Sequence, residues 1–257
     1  MSEQNSSAKD AHDKAVDNDE QPFLDHLIEL RRRILRSLAA VGVLFIPIYY
    51  FAKDLYQWVS APLVAQLPEG SSMIATQVAS PFLTPFKLAV YAAIFLGVPY
   101  LLHQIWGFVS PGLYRHEKKF AVPLLVSSIV LFYSGMLFVY YLVFPLIFAF
   151  FTGIDLGDVA IMTDIDEYLN FVLKMFLAFG IAFEIPIATM LIVWSGISTA
   201  DDIAKKRPYI IVGCFVVGML LTPPDVISQL LLAIPCWVLF EIGVFIARLT
   251  EKPDTEQ

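Results

Sequence analysis

LAFGIAFEIPIATMLIVW, Leu177 to Trp194, sets one carboxylate, Glu184, into an otherwise uncharged run long enough to cross a bilayer. A charge at a bilayer centre costs at least about 2.5 to 3.5 kcal/mol on insertion scales, so such a group faces a protein interior or a watery cavity. Two residues on, Pro186 removes a helical hydrogen bond and is expected to bend the segment at the acid. Two readings of Glu184 stand side by side: an acid paired with a neighbouring helix, or a functional group within the membrane.

The rest of the chain explains why a membrane is the setting. Of 257 residues, 58% are hydrophobic and 16% charged, against about 45 to 50% and about 25% in soluble domains. Hydropathy marks six apolar segments, at about 34–52, 86–109, 120–150, 168–195, 209–222 and 226–247. Basic residues gather in alternate connections. Arg31, Arg32, Arg33 and Arg36 precede the first segment, Arg115, Lys118 and Lys119 follow the second, Lys205, Lys206 and Arg207 the fourth, and Arg248 and Lys252 the sixth. The third loop holds Asp155, Asp158, Asp164, Asp166 and Glu167 and no Lys or Arg. The positive-inside rule then puts both termini in the cytoplasm, and the net charge of −7 is no guide to partners. Nothing points to nucleic acid. Cys214 and Cys236 lie in apolar stretches and read as small buried hydrophobes. The polar first twenty residues and the late apolar run argue against a cleavable signal peptide, so the first helix is expected to be its own targeting signal.

Taken in order, residues 1–21 are rich in Asp and Glu with little to pack, and are expected to form a disordered acidic cytoplasmic tail. A six-helix transmembrane domain is expected over 22–250, and a short cytoplasmic tail over 251–257. FLDHLIELRRRILRSL, from Phe23, has one apolar stripe and reads as a surface helix entering the first span. The loop from Lys53 to Pro85 contains an amphipathic piece, LYQWVSAPLVAQL, expected to lie on the membrane as a lid. Asp164 with Glu167 is expected to cap the fourth helix and Gly196 to stop it, while Ser198 with Asp201 opens a short turn of helix. Lys174 is expected to snorkel towards the outer end. Tyr209 to Thr222 supplies only 14 residues before Pro223, Pro224 and Asp225 force a turn. That is about 21 Å of helix against a hydrocarbon core of about 30 Å, so a thinned bilayer is expected there.

The motifs of soluble catalysis are missing: there is no Walker loop, no G-x-G-x-x-G and no H-E-x-x-H, and His12, His26, His103 and His116 have no metal spacing. No enzyme activity, cofactor or metal is expected, and any work must draw on a gradient or a partner. Two acids stand out at the basic face. Glu29 lies three and four residues before Arg32 and Arg33, and Glu117 is flanked by Arg115, Lys118 and Lys119. Either each is paired within its own charge cluster, or the two converge on a cationic ligand, for which a carboxylate offers a guanidinium a bidentate site.

From about Pro22 to Arg248 the chain resembles the TatC family, the multispanning core subunits of the twin-arginine translocase. The likeness is carried by HLIELRRR at 26–33, SAPL at 60–63, ASPF at 79–82, QIWGFVSPGLYRHEKK at 104–119, FGIAFEIP at 179–186, KKRPY at 205–209 and LTPPDVISQ at 221–229. The resemblance implies an all-α polytopic membrane protein with six transmembrane helices, the last two short, in a cupped arrangement. It implies a receptor for twin-arginine signal peptides, working in a bacterial cytoplasmic membrane with single-span TatA- and TatB-type subunits, membrane lipid and other copies of itself. Folded proteins would be exported on the proton-motive force. By the same resemblance Glu29 and Glu117 bind the paired arginines, with Phe108 and Leu113 along the apolar part of the groove. Glu184, before Pro186, is the intramembrane acid on the concave side; Thr222, Asp225 and Gln229 lie where partner helices dock; Pro62 and Phe82 belong to the outer cap. The longer acidic N-terminus and Lys118 in place of Arg depart from the family pattern. A second function class, a proton- or cation-coupled secondary transporter using Glu184 and Glu241, stays open, although no inverted repeat relates the two halves.

Overall fold

In the computed structural model of the chain, helix follows helix through the described residues, which are 3–66, 72–109, 121–153, 162–221 and 226–250, with side chains from 26 onward except at 109 and 121. The order is α1 (Glu3–Tyr50), α2 (Ala52–Val64), β1 (Met73–Ile74), α3 (Ser80–Val109) and α4 (Ala121–Phe138), which passes through a π-helical turn, Val139–Val143, into α5 (Phe144–Thr152). Then come β2 (Thr163–Asp164), α6 (Ile165–Ala182), α7 (Ile185–Trp194), α8 (Ala200–Lys205), α9 (Arg207–Leu221) and α10 (Val226–Thr250). Helical backbone extends back to Glu3, through the stretch expected to lack order. No Gly or Pro interrupts that stretch before Pro22, and a helix propagates from an existing span without a new nucleus.

Five stretches among the described residues are long and apolar enough to cross a membrane: His26–Tyr50, Ser80–Phe108, Val122–Thr152, Ile165–Trp194 and Val226–Thr250. The chain is a multi-pass, all-α membrane protein. α9 is shorter, with 15 residues, or about 22 Å. The expectation of two short final helices narrows to one, because α10 runs for 25 residues through Pro235 and past Arg248.

α1 lies along α3, α4 along α6, and α7 and α9 along α10. Apolar side chains gain nothing by leaving lipid for one another, so shape and hydrogen bonds hold such a bundle. Aromatic rings run through the buried core. Phe144 lies 5.4 Å from Phe148 and 5.3 Å from Phe176, which meets Phe95 at 6.1 Å, so rings from α3, α5 and α6 share one core.

Prolines decide where this bundle needs outside donors. A proline inside a helix leaves the carbonyl four residues earlier unanswered, and in hydrocarbon no water replaces the missing N–H. Pro99 frees Phe95 O, and the Tyr133 hydroxyl of α4 donates to that oxygen at 2.9 Å. Pro62 in α2 frees Trp58 O, and Tyr140, on the π-helical turn, donates to it at 3.1 Å while its ring stacks on Trp58 at 4.5 Å.

The same end of the molecule carries further fasteners. Tyr168 donates to Val59 O at 2.8 Å, and β1 pairs in parallel with β2. Asp164 caps α6 by accepting from the Asp166 and Glu167 N–H groups, as expected, and its other oxygen accepts from Thr76 N and Oγ1 at 2.8 and 2.6 Å. These bonds, the Thr76 hydroxyl foremost, hold the Asp164 carboxyl well below the usual range. Burial, with that carboxylate nearby, pushes the Tyr56 hydroxyl up to about 12. At the opposite end Gly196 stops α7 with φ of 71°, a left-handed conformation that glycine adopts freely. The cap of α8 is Thr199, not Ser198: its extended backbone lets the hydroxyl accept from Asp202 N at 3.1 Å.

Candidate functional site

The polar end of α1 brings several expected residues together. Glu29 and Arg33 are one helical turn apart, and Arg33 donates to Glu29 Oε1 through Nε at 2.9 Å and Nη2 at 2.5 Å. The same guanidinium donates to two backbone carbonyls of α3, Gln104 O at 3.3 Å and Gly107 O at 2.9 Å. Pro111, four residues after Gly107, has no N–H to offer that carbonyl. A Cβ at position 107 would fall on the guanidinium, so a larger residue there would make the head of Arg33 shift. Next to it Phe108 stacks on His26 with ring centroids 4.1 Å apart.

The pairing of Glu29 with Arg33 is therefore real, and it has a consequence. Both bonds end on Oε1, and among the described residues no group donates to Oε2. The Glu29 side chain is 30% exposed and its partner 21%. Arg33 thus fixes a carboxylate that still has an oxygen for a second cation.

Deeper in the molecule the expected bend is a break. α6 ends at Ala182, and α7 begins at Ile185 with Pro186 in its first turn. Glu184 sits at the junction, yet its side chain does not cap α7. It faces a lateral pocket of about 360 Å3 between α3, α4, α6 and α7, lined by Leu102, Ser128, Phe132, Leu177 and Ile187. Glu184 Oε1 and Ser128 Oγ are buried, and neither meets hydrogen-bond geometry with another described group.

The remaining expected residues are placed separately. Gln229 donates through Nε2 to Phe215 O at 2.9 Å, which ties α10 to α9. Pro62 is half-buried in α2 and Phe82 is exposed at the start of α3. Lys174 is exposed on α6. Glu117, Leu113, Thr222 and Asp225 lie outside the described residues. Sequence reasoning missed the anchoring part of Arg33, the stacking of His26, and Ser128 beside Glu184; only the first had a signal, the four-residue spacing from Glu29. It also missed the Arg207–Glu241 pair, bidentate at 2.7 and 2.8 Å, and the Lys87–Asp166 pair at 2.8 Å.

Fold and site define a multi-pass helical membrane protein that fixes one carboxylate at a polar end and holds a second in a lateral pocket. Comparison with known proteins gives the class its name. The family model described as Sec-independent protein translocase protein (TatC) matches residues 25–235. The chain is 58% identical over 236 residues to the Sec-independent protein translocase protein TatC of Azotobacter chroococcum mcd 1, covering 91% of this chain and 92% of the relative. To the protein of that name from Escherichia coli K12 it is 56% identical over 230 residues, covering 90% and 89%. A crystal structure described as the twin arginine translocase receptor TatC superposes with a TM-score of 0.79 at 37% identity, covering 87% of this chain and 98% of that one. The chain belongs to the TatC family of Sec-independent protein translocase proteins.

Proposed function

We propose that the chain is the signal-reading core subunit of a twin-arginine translocase, exporting folded proteins across a bacterial cytoplasmic membrane on the proton-motive force. The observation that carries this reading is the Glu29 carboxylate: anchored through Arg33 to α3, partly exposed at the polar end, with Oε2 meeting no donor among the described residues. One arginine of a signal meets that oxygen, Glu117 receives the other, and Phe108 and Leu113 flank the apolar residues beside them. Both termini are cytoplasmic, in keeping with the arginines at 31, 32, 33 and 36 near the start of the first span. The domain spans 22–250 as six helices in a cup, with α9 as the short fifth, and 251–257 trails it. Single-span TatA- and TatB-type subunits dock at the hairpin of Thr222, Asp225 and Gln229, Pro62 and Phe82 belong to the outer cap, and several copies assemble.

The transporter reading rests on Glu184 and its pocket. Its second acid, Glu241, is engaged by Arg207 and is poorly suited to carry cations. Photocrosslinking from position 30, beside an intact Glu29, to a twin-arginine peptide tests the signal reading. Glu29→Ala is expected to lower labelling about tenfold, the scale of one lost charge-assisted contact, with insertion normal. A twin-lysine peptide should label less well, since lysine lacks the planar donor fork. Equal labelling by both peptides overturns the model.

A further inference from the structure

α1 leans on α3 with only a minor contact to α2, and none of the apolar window of its span is buried. Of its four arginines Arg33 turns inward, as described above. Arg31, Arg32 and Arg36 stay exposed and make no hydrogen bond or ion pair among the described residues. Their side chains, with Ile28, Leu35 and Ala39, line an open, almost wholly apolar groove of about 600 Å3. The spacing puts Ile28, Leu35 and Ala39 on one helical stripe, and the exposed Val43, Ile46 and Tyr50 continue it towards the other end of the span.

We propose that this groove is a binding site for an anionic phospholipid. Its phosphate lies on the guanidinium groups of Arg31, Arg32 and Arg36, and an acyl chain follows Leu35, Ala39 and Val43 along α1. Three features select this occupant. Guanidinium offers paired donors to phosphate oxygens and is weakly hydrated, so it suits a headgroup at the edge of hydrocarbon. Arginine stems cover apolar surface while their heads stay polar, so one site takes both parts of an amphiphile. The stripe runs straight from the charged cluster into the length of a bilayer leaflet, where an acyl chain lies and a soluble acidic peptide does not. The site does not depend on which leaflet the arginines meet.

The test uses the purified full-length protein in detergent and native mass spectrometry, with phosphatidylglycerol, phosphatidylcholine or inorganic phosphate added. Phosphatidylglycerol should be retained in preference to phosphatidylcholine. Each of Arg31→Gln, Arg32→Gln and Arg36→Gln should lower that retention about fivefold, the scale of one basic residue at an anionic surface. The triple variant should fall to the phosphatidylcholine level, while Lys174→Gln on α6 leaves retention unchanged. A photoreactive residue at Leu35, in vesicles holding both lipids, should label phosphatidylglycerol, and this keeps the proposal testable if the triple variant does not fold. Retention unaffected by the substitutions, equal retention of the two lipids, or competition by inorganic phosphate alone overturns the site. So does labelling of a second copy or another helix from position 35.

Discussion

Pro99 and Pro186 each stand in a long apolar span, and each deprives the carbonyl four residues earlier of its helical donor, yet the two helices respond differently. At Pro99 the Tyr133 hydroxyl fills the gap from α4, and α3 runs unbroken from Ser80 to Val109. At Pro186 no described side chain donates to Ala182 O, and the span divides into α6 and α7 with Phe183 and Glu184 between them. At Pro99 a neighbour supplies the donor that a medium without water cannot, while α10 continues through Pro235 and only the Pro186 span divides. The break at Pro186 also turns Glu184 from a mid-helix residue into a junction residue facing the lateral pocket.

Removing the proline should have the largest effect. Pro186→Ala restores an N–H for Ala182 O, lets α6 and α7 join, and rotates Glu184 away from Ser128. Export of a folded reporter is expected to fall about tenfold with signal crosslinking intact, on the order of the 1.4 kcal/mol that one decade represents; normal export would show that the break is incidental. Glu184→Gln keeps the break and removes only the acid, so a smaller loss of export, roughly fivefold, is expected, equivalent to one modest polar interaction. An unchanged rate would make the carboxyl structural.

On the other side of the comparison, Tyr133→Phe leaves Phe95 O unanswered. Thermal unfolding in detergent should show a destabilisation of about 0.6 kcal/mol, the average for interhelical bonds in membranes. A neutral result would mean that Pro99 needs no donor. The smallest effect is expected at the staple between Thr76 and Asp164, where no proline is involved. Because the folded Asp164 carboxyl titrates below its unfolded value, its contribution is present above about pH 4 and fades as the pH falls further. Thr76→Val should lower the neutral plateau of a stability profile and so flatten its fall in acid, leaving the most acid end nearly unmoved; an unaltered fall would assign the lowered titration to the α6 cap alone.

What could be read from the sequence follows the range of the interactions. The break at Glu184, the Asp164 cap and the Gly196 stop are local, each written within a few residues. The Glu29–Arg33 pair is also local, at the four-residue spacing of a helix face. Arg31, Arg32 and Arg33 look alike in the chain, and only the phase of α1 against α3 turns one inward and leaves two outside. Tyr133 meets its carbonyl across 38 positions and Arg207 meets Glu241 across 34, so hydropathy has no means of pairing them. Ser198 and Thr199 are both good caps, and the choice falls to the residue whose backbone is extended. The length of α10 was hidden because helix continues through the polar end of its apolar run.

The Arg33 anchor also sets an order of events during synthesis. Its acceptor on the same helix is four residues upstream, whereas Gly107 is 74 residues downstream. At about 5 to 20 residues per second, the ribosome delivers that carbonyl roughly 4 to 15 seconds after the arginine. During that interval α1 stands in the bilayer without α3, and Glu29 is the partner already made that can quiet the charge. The salt bridge is then an early custodian of Arg33, holding the guanidinium in place until the third helix arrives to receive it.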